Sequence, residues 1–382
     1  MNDRPITGPA HADCHECGLP HRLPPLRPGG SAYCRRCGAL LHRHRADPWR
    51  TTLPLVLAAL PLLPVIVLLP FISLNISGQH TQTWLLTGPV ALQRDGLWEL
   101  GVLVLFTSFL VPLVKLGCLC VTLVGLRMKR PPRGLPALFR SVGHLGRWAM
   151  VEVFLLGVIV AYTKLVAMAQ VEIGLAAYAL VALMVLMAWV DASLDSYAVW
   201  QEIERRGLGA APLHGPPDPA SLQRSWALLI AAAVLYVPAN VYPVMVVTSL
   251  GVETHATILE GVRELATGDT WPLAVLVFFA SITVPCLKLV GMTVMLIATG
   301  RGSTVRLRDR ARLFRIIEFI GRWSMIDVFM VSILVSLVNM GALVSIGPGV
   351  GALAFASVVV LTMLATLSFD PRLMWRTIQE PL

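Results

Sequence analysis

Residues 98–115 read WELGVLVLFTSFLVPLVK, and residues 271–288 read WPLAVLVFFASITVPCLK. The second stretch follows the first by 173 positions, and both keep the same tryptophan, phenylalanine, proline and lysine. From Leu138 onward the offset becomes 175, and identities continue to Trp200 and its counterpart Trp375. The two-residue slip falls in a polar, basic loop, where insertions are tolerated. A repeat that carries a lysine inside an apolar stretch indicates a duplicated membrane machine rather than a duplicated anchor.

The composition places the chain in a membrane. Apolar residues make up 56% of the sequence and charged residues 14%, and the mean hydropathy is +0.71. A water-soluble domain cannot hide this much apolar side chain. Helices are predicted, because the strands of a membrane barrel would alternate in polarity and these runs do not. A span needs roughly 20 residues of helix, and we predict eight of them, near 52–74, 97–126, 148–168, 172–192, 226–249, 271–299, 323–344 and 350–369.

The basic residues predict the orientation of these spans. With the N-terminus in the cytoplasm, 26 of the 31 lysine and arginine residues fall in inner segments, and Arg94 and Arg263 fall in outer loops. We therefore predict a multi-pass protein with cytoplasmic N- and C-termini. The net charge of +9 is then mainly a topology signal, with some attraction to anionic headgroups. A nucleic-acid partner is not predicted, because the basic residues are spread over every inner loop.

The chain divides into a polar first segment and two apolar modules. Residues 1–48 contain no apolar core before a small-residue cleavage site, so the first span is predicted to direct insertion. The modules are 49–204 and 224–382, and the cytoplasmic linker 205–223 between them is rich in glycine, alanine and proline. Four spans in each module make both modules enter from the same side. The predicted fold is therefore an all-α polytopic membrane protein with two parallel repeats, related by an axis along the membrane normal.

The first segment contains a metal-binding pattern. Cys14 and Cys17 form one C-x2-C knuckle, and Cys34 and Cys37 form a second one sixteen residues later. This spacing predicts a four-cysteine zinc ribbon, in which four thiolates close a tetrahedral and therefore structural site. A glycine follows the second cysteine of each knuckle, where a tight turn often needs a positive φ. A pair of disulfides is the alternative, which a reducing cytoplasm disfavours.

Two lysines lie inside predicted spans. Lys115 and Lys288 each lie about a dozen residues, or ~17 Å, from the inner end of their span. A lysine at the centre of a membrane helix costs about 2.5–3.5 kcal/mol. Glu152 and Asp327, on the third helix of each module, are the predicted partners, although they lie nearer the inner edge. These four residues either form structural ion pairs or handle protons or substrate, and the sequence leaves both interpretations open.

The first span of each module is interrupted by proline. Each proline removes a backbone hydrogen bond and frees a carbonyl group. Prolines are common in membrane helices, but four in one span, with a broken counterpart in the repeat, favour a cavity or a moving element. The first span contains Pro54, Pro61, Pro64 and Pro70, and the second module contains Pro238, Asn240 and Pro243.

The outer loops, Asn75–Gly96 and Gly251–Thr270, are longer than tight turns. Apolar residues three and four positions apart predict a short surface helix over Thr257–Leu265. Such a helix either lies at the membrane interface or forms a docking face for a partner outside the cytoplasm. The sequence contains no Walker A loop, nucleophile elbow, zinc-protease helix or dinucleotide fingerprint, so an enzyme is not predicted.

Together these features resemble the paraquat-inducible protein A family, including its LetA-type members. The resemblance implies a bacterial inner-membrane partner of MCE-domain proteins, which form periplasmic tunnels and move phospholipids between two membranes. Members often carry a second ribbon between the modules, but 201–225 contains no cysteine, so one zinc is expected. The residues that carry the resemblance are the four-cysteine ribbon, Trp226-Ala227-Leu228, Pro238-Ala239-Asn240, the Pro-x-x-Lys turns at Lys115 and Lys288, Gly321–Phe329 and Ser368–Arg372.

The leading interpretation is a subunit that loads or receives phospholipid and passes it to an MCE tunnel. The proline-broken helices would frame the lipid path, and the lysine and carboxylate groups would couple conformation to protonation. The alternatives are a self-contained, ion-coupled exporter of a small toxicant and a membrane scaffold that does not transport.

Overall fold

The computed structural model describes residues 10–23, 29–45, 49–76, 79–166, 170–209, 215–249, 252–267, 271–337 and 344–376. Its first segment contains two β-hairpins. The first pairs β1 (Ala10–Asp13) with β2 (Pro20–Leu23), and the second pairs β3 (Ser31–Tyr33) with β4 (Leu40–Arg43). Gly18 and Gly38 close the two knuckles at φ 68° and 75°. The predicted positive φ is therefore confirmed at both glycines.

The first half of the apolar region alternates long helices with short elements. A five-residue π-helical turn, Phe106–Leu110, interrupts the helix that contains Lys115. The elements are α1 (Thr52–Ala59), α2 (Leu62–Leu68), β5 (Ile72–Ile76), β6 (Gln79–Thr83), α3 (Thr87–Arg94), α4 (Trp98–Leu105), α5 (Val111–Gly125), α6 (Leu135–Leu145), α7 (Val151–Val166), β7 (Gln170–Ile173), α8 (Leu175–Ser193) and α9 (Ser196–Arg205).

The second half contains a similar series. Its π-helical turn, Phe279–Thr283, interrupts the helix that contains Lys288. The elements are α10 (Ala220–Val241), β8 (Met245–Ser249), β9 (Val252–Ala256), α11 (Ile258–Thr267), α12 (Trp271–Phe278), α13 (Val284–Gly300), α14 (Leu307–Gly321), α15 (Ile326–Leu337), β10 (Val344–Pro348) and α16 (Val350–Ser368), with 3-10 turns at Arg322–Met325 and Pro371–Trp375. Helix α11 confirms the predicted surface helix.

Every predicted span contains helix, but the helices differ in length. Among the described residues, two shorter apolar helices cover Thr52–Leu68 and Val151–Thr163. Six helices are long and apolar enough to cross a membrane, namely Trp98–Gly125, Leu175–Ser193, Ala220–Val241, Ala274–Gly300, Leu307–Ser336 and Val350–Ser368. The chain is thus a mostly helical, multi-pass membrane protein.

The prediction of an all-α fold is wrong at one end of the helices. Strand β5 pairs with β6 and β7 in an antiparallel sheet, and β8 pairs with β9 and β10 in the same arrangement. Ile72, Leu74 and Ile76 alternate with polar residues, which is the pattern of a short strand. In each half of the apolar region, the sheet joins the end of the first helix to the start of the last helix. We call this end of the molecule the sheet end.

Prolines form the junctions at the sheet end. The peptide N–H of Ala176 donates to the carbonyl oxygen of Pro70 over 3.3 Å, and that of Gly351 donates to Pro243 over 2.9 Å. A Cβ at Gly174 would lie 2.1 Å from the Pro70 oxygen, so this crossing requires glycine. Pro70 and Pro243 therefore end the first helix of each half where the last helix begins.

The two halves meet where α7 crosses α15. The rings of Phe154 and Phe329, which are equivalent positions of the repeat, meet edge to face at 5.4 Å. A Cβ at Gly157 would lie 2.8 Å from the Cβ of Phe329, so the two helices approach closely. One continuous core includes buried residues from both halves.

The ribbon lies at the opposite end from the sheets. Helix α8 starts beside β7 and ends where the ribbon makes its contacts, and its 19 residues span about 28 Å. We call this second end, which carries residues 10–23 and 29–45, the ribbon end.

Candidate functional site

The four cysteines of the ribbon form one cluster. Cys14 and Cys37 approach with a sulfur–sulfur distance of 3.5 Å, as do Cys17 and Cys34, and all four are buried. In each knuckle the glycine N–H donates to the carbonyl oxygen of the first cysteine, at 2.8 and 2.9 Å. The four sulfur atoms lie within 4.8 Å of one another, so they could hold a metal ion.

Electrostatics also favours a cation in this cluster. A hydrogen bond from Cys17 lowers the pKa of the Cys14 thiol to about 4, whereas burial raises the pKa of Cys37 to about 12. The Cys14 thiolate can therefore form first, because the pKa values of the Cys17 and Cys37 thiols are raised. Ionisation of these thiols as well would require a positive charge between them, which a metal ion would supply.

The ribbon contacts the second half through charged groups. The Arg315 guanidinium donates to the Glu16 carboxylate at 2.9 and 3.2 Å, and Glu16 is buried. Arg308 donates to the carbonyl oxygens of Arg35 and Arg36, which belong to the second knuckle, at 3.0 and 2.8 Å. The cysteine cluster is therefore fixed against α14.

The ribbon also contacts the first half. The Arg45 guanidinium donates to the carbonyl oxygens of Asp191 (2.8 Å) and Leu194, at the end of α8. His42 lies 3.9 Å from the Asp195 carboxylate, and burial lowers the pKa of its imidazole against the opposing effect of that carboxylate. The ribbon thus bridges both halves at one end.

Lys115 has a partner that the sequence analysis missed. Its ammonium group donates to both carboxylate oxygens of Asp191, at 2.7 and 2.8 Å. The predicted pairing with Glu152 is wrong, because Glu152 lies half-buried in the first turn of α7 and makes no such bond. Asp191 was recognisable as a carboxylate at the end of an apolar span, but nothing in the sequence indicated that its side chain points towards Lys115.

Lys288 lacks this arrangement. Its side chain is 2% exposed, and its ammonium nitrogen makes no hydrogen bond with any described residue. The repeat explains the difference, because the position equivalent to Asp191 is Thr366. The hydroxyl of Thr366 donates to the carbonyl oxygen of Thr362 at 2.9 Å. The second half has therefore replaced the counter-ion with a neutral group.

Lys288 faces a half-open cavity of about 290 Å³ between the two halves. Arg147 contributes from the first half, and Arg315 and Arg322 contribute from the second. Asp327 lies elsewhere, buried beside Leu92 and Phe355. The lysine and carboxylate predicted as a pair in the second half thus line different cavities.

The proline-broken segments occupy other parts of the fold. The Asn240 amide donates to the carbonyl oxygen of Tyr236 at 2.8 Å, and Pro238 lies midway between these two residues. The Tyr236 hydroxyl donates to the carbonyl oxygen of Ile282, in the π-helical turn, at 3.4 Å. These bonds satisfy backbone carbonyls near irregular helix. Pro64 lies exposed within α2.

A multi-pass helical membrane protein with a four-cysteine ribbon docked across one end is the class that these observations define. The chain belongs to the paraquat-inducible protein A family, whose family model matches residues 49–204 and 222–379. The resemblance predicted from the sequence is confirmed. Proteins of this family act in membrane transport.

Similar proteins cover nearly the whole chain. It is 34% identical to "Intermembrane transport protein PqiA" of Escherichia coli K12 over 96% of this chain and 95% of the relative. It is 28% identical to "Lipophilic envelope-spanning tunnel protein A" of the same strain, over 95% and 90%. A "Probable intermembrane transport protein" of Haemophilus influenzae is 26% identical, over 95% of each chain. These relatives are named as transport proteins, which agrees with a protein that is not an enzyme. No solved structure gives a significant match.

Proposed function

We propose that this protein is the inner-membrane subunit of an MCE-type intermembrane phospholipid transport system. It loads or receives phospholipid in the inner membrane and passes it to a periplasmic MCE-domain tunnel protein. The observation that carries this proposal is end-to-end similarity to relatives named for intermembrane transport and for an envelope-spanning tunnel.

The architecture we propose is two parallel four-helix modules with eight spans in all, 49–204 and 224–382. The two separate matches of the family model support it. Contact between the equivalent residues Phe154 and Phe329 also supports it, because equivalent groups meet only near a two-fold axis. The short helices Thr52–Leu68 and Val151–Thr163 then complete their crossings with adjacent residues.

We propose that the ribbon end is cytoplasmic, together with both termini, and that the sheet end is periplasmic. The excess of lysine and arginine in the segments of the ribbon end supports this orientation. The MCE partner then docks at the sheet end. Helix α11 is a suitable contact there, because Leu259 is 62% exposed and starts an amphipathic helix.

We propose that the ribbon holds one structural zinc ion. Four thiolates are the donor set that zinc prefers in such sites, and four protein ligands leave no position open for a substrate. Zinc would hold the two hairpins together, because the first 48 residues have little core of their own. It would thereby keep the ribbon in contact with both halves of the apolar region.

We propose that Lys115, Glu152, Lys288 and Asp327 take part in transport. Buried charge in a membrane protein is costly, and ionisable groups that are kept there usually mark a functional site. Lys115, Lys288 and Asp327 are all buried. Protonation of Asp327 is one way in which the cycle could be coupled to a proton gradient. An apolar groove of about 200 Å³ beside Leu155, Ile159 and Tyr178, between α7 and α8, is the place where we propose that an acyl chain binds.

Copurification with the MCE partner tests the proposal. Leu259→Arg should reduce recovery of the partner, because it places a charge on the proposed docking helix. Val305→Arg is the matched control. Val305 is similarly exposed, at 65%, but it follows the C-terminal end of α13 and lies away from the sheet end. Equal recovery with both variants would place the contact elsewhere. A wild-type chain that binds no MCE protein would overturn the proposal and favour the self-contained exporter or the scaffold.

A further inference from the structure

The structure contains two cavities at equivalent places in the two halves. Each is lined by a buried lysine, an arginine and a glycine from the following helix, and a residue near the end of the last helix. In the first half these are Lys115, Arg140, Gly146 and Asp191, and in the second half they are Lys288, Arg315, Gly321 and Thr366. Each second-half residue follows its counterpart by 173 or 175 positions.

The first cavity contains its own anion. The carboxylate of Asp191 accepts two hydrogen bonds from Lys115, and half of its side chain is exposed. A negative group is therefore stable at this place in the fold. In the second cavity Thr366 stands at the same position, and the Lys288 ammonium group faces the space with no hydrogen-bond acceptor among the described residues.

The second cavity is strongly basic. Arg147 and Arg322 line it with Lys288, and Arg315 lines it while it also binds Glu16. Glu318 is the one carboxylate among the described lining residues. Its counterpart in the first half is Gly143, so it does not replace Asp191. Four positive groups thus line a space with one negative group, and Glu16 pairs with one of the four from outside the lining.

We propose that this second cavity binds a phosphate group that serves as the counter-ion of Lys288. Guanidinium groups bind phosphate oxygens in pairs, and an ammonium group adds a point charge. A volume of about 290 Å³ lies at the lower limit of small-molecule sites, so the cavity takes a headgroup rather than a whole lipid. Phe319, Met363 and Leu367 line the same opening and offer apolar surface beyond the charged part.

This inference rests on the proposed function where it concerns the source of the phosphate. Three arginines line the cavity with Lys288. Because arginine avoids the hydrocarbon centre, we place this level near a membrane–water interface, closer to it than the ~17 Å counted along the predicted span. A phospholipid headgroup lies at this depth. Free inorganic phosphate has the same chemistry, and the experiment separates the two sources.

Binding to purified, delipidated full-length protein tests the proposal. Radiolabelled short-chain phosphatidylglycerol and radiolabelled inorganic phosphate are titrated separately. Thr366→Asp should weaken phosphatidylglycerol binding by about tenfold or more, because an internal carboxylate then occupies Lys288. Thr366→Val is the matched control, with a similar shape and no charge, and should weaken binding much less than Thr366→Asp does.

The outcomes are distinct. Unchanged binding by a folded Thr366→Asp variant would overturn the proposal. Should that variant fail to fold, Lys288→Met replaces it, and unchanged binding there has the same meaning. Saturable binding of inorganic phosphate without binding of phosphatidylglycerol would overturn the lipid source and keep the anion site. Partner copurification on the same preparations is independent, so its failure would refute the proposed function without altering the binding result.

Discussion

Asp191→Asn is the substitution whose effect follows most directly from the structure. The carboxylate receives hydrogen bonds of 2.7 and 2.8 Å from Lys115, whose side chain is only 4% exposed. Breaking a buried ion pair by removing one partner costs about 3–5 kcal/mol. Asp191 is half exposed, so water can reach part of the ammonium group and reduce this value. We expect the free energy of unfolding to fall by about 2 kcal/mol.

Titration with sodium dodecyl sulfate in mixed micelles measures this quantity on the full-length protein. The double variant Lys115→Met with Asp191→Asn should recover most of the loss, because no buried charge remains. Lys288→Met is the matched control. Lys288 makes no hydrogen bond with the described residues, so this change should leave stability unchanged or raise it. A loss below about 0.5 kcal/mol in Asp191→Asn would refute the reasoning, because that is the effect of an ordinary surface change.

Three further predictions address the metal, the topology and the second cavity. Cys34→Ser should release zinc, measured by atomic absorption, and unfold the ribbon while the helices stay inserted. One tightly bound zinc per chain in this variant would contradict the assignment. A cysteine at Gln79 should react with an impermeant thiol reagent from the periplasm and one at Gly302 should not, and the reverse pattern would invert the topology. Gly321→Ala should weaken phosphatidylglycerol binding by about tenfold, because the new Cβ would lie 2.9 Å from the Lys288 ammonium nitrogen. Gly143→Ala is its control, since Gly143 lines the first cavity and a Cβ there would meet nothing within 4 Å; equal effects would show that lysine placement is unimportant.

Long periodic features were predictable from the sequence. The apolar runs gave helices at every predicted span, and the knuckle spacing gave the cysteine cluster. The repeat also aligned Phe154 with Phe329, which meet in the structure. These features depend on local composition or on spacing along the chain, which the sequence records directly.

Contacts between distant residues were less accessible. Lys115 and Asp191 are 76 positions apart, and only the packing of the helices brings them together. The strands of the sheet end were missed because each has four or five residues inside a chain dominated by long apolar runs. The offset of 175 residues already aligned Asp191 with Thr366, so the loss of a carboxylate at this position was visible in the sequence. It acquired meaning only when the structure showed what Asp191 binds.

Reconstituted lipid transfer tests the central claim most directly. Proteoliposomes containing this chain, the MCE partner and labelled phospholipid are mixed with acceptor membranes, and transfer of the label is followed. The account predicts transfer that requires both proteins and falls in Lys288→Ala while the partner stays bound. Transfer no greater than that of protein-free liposomes, with both proteins folded and assembled, would contradict it.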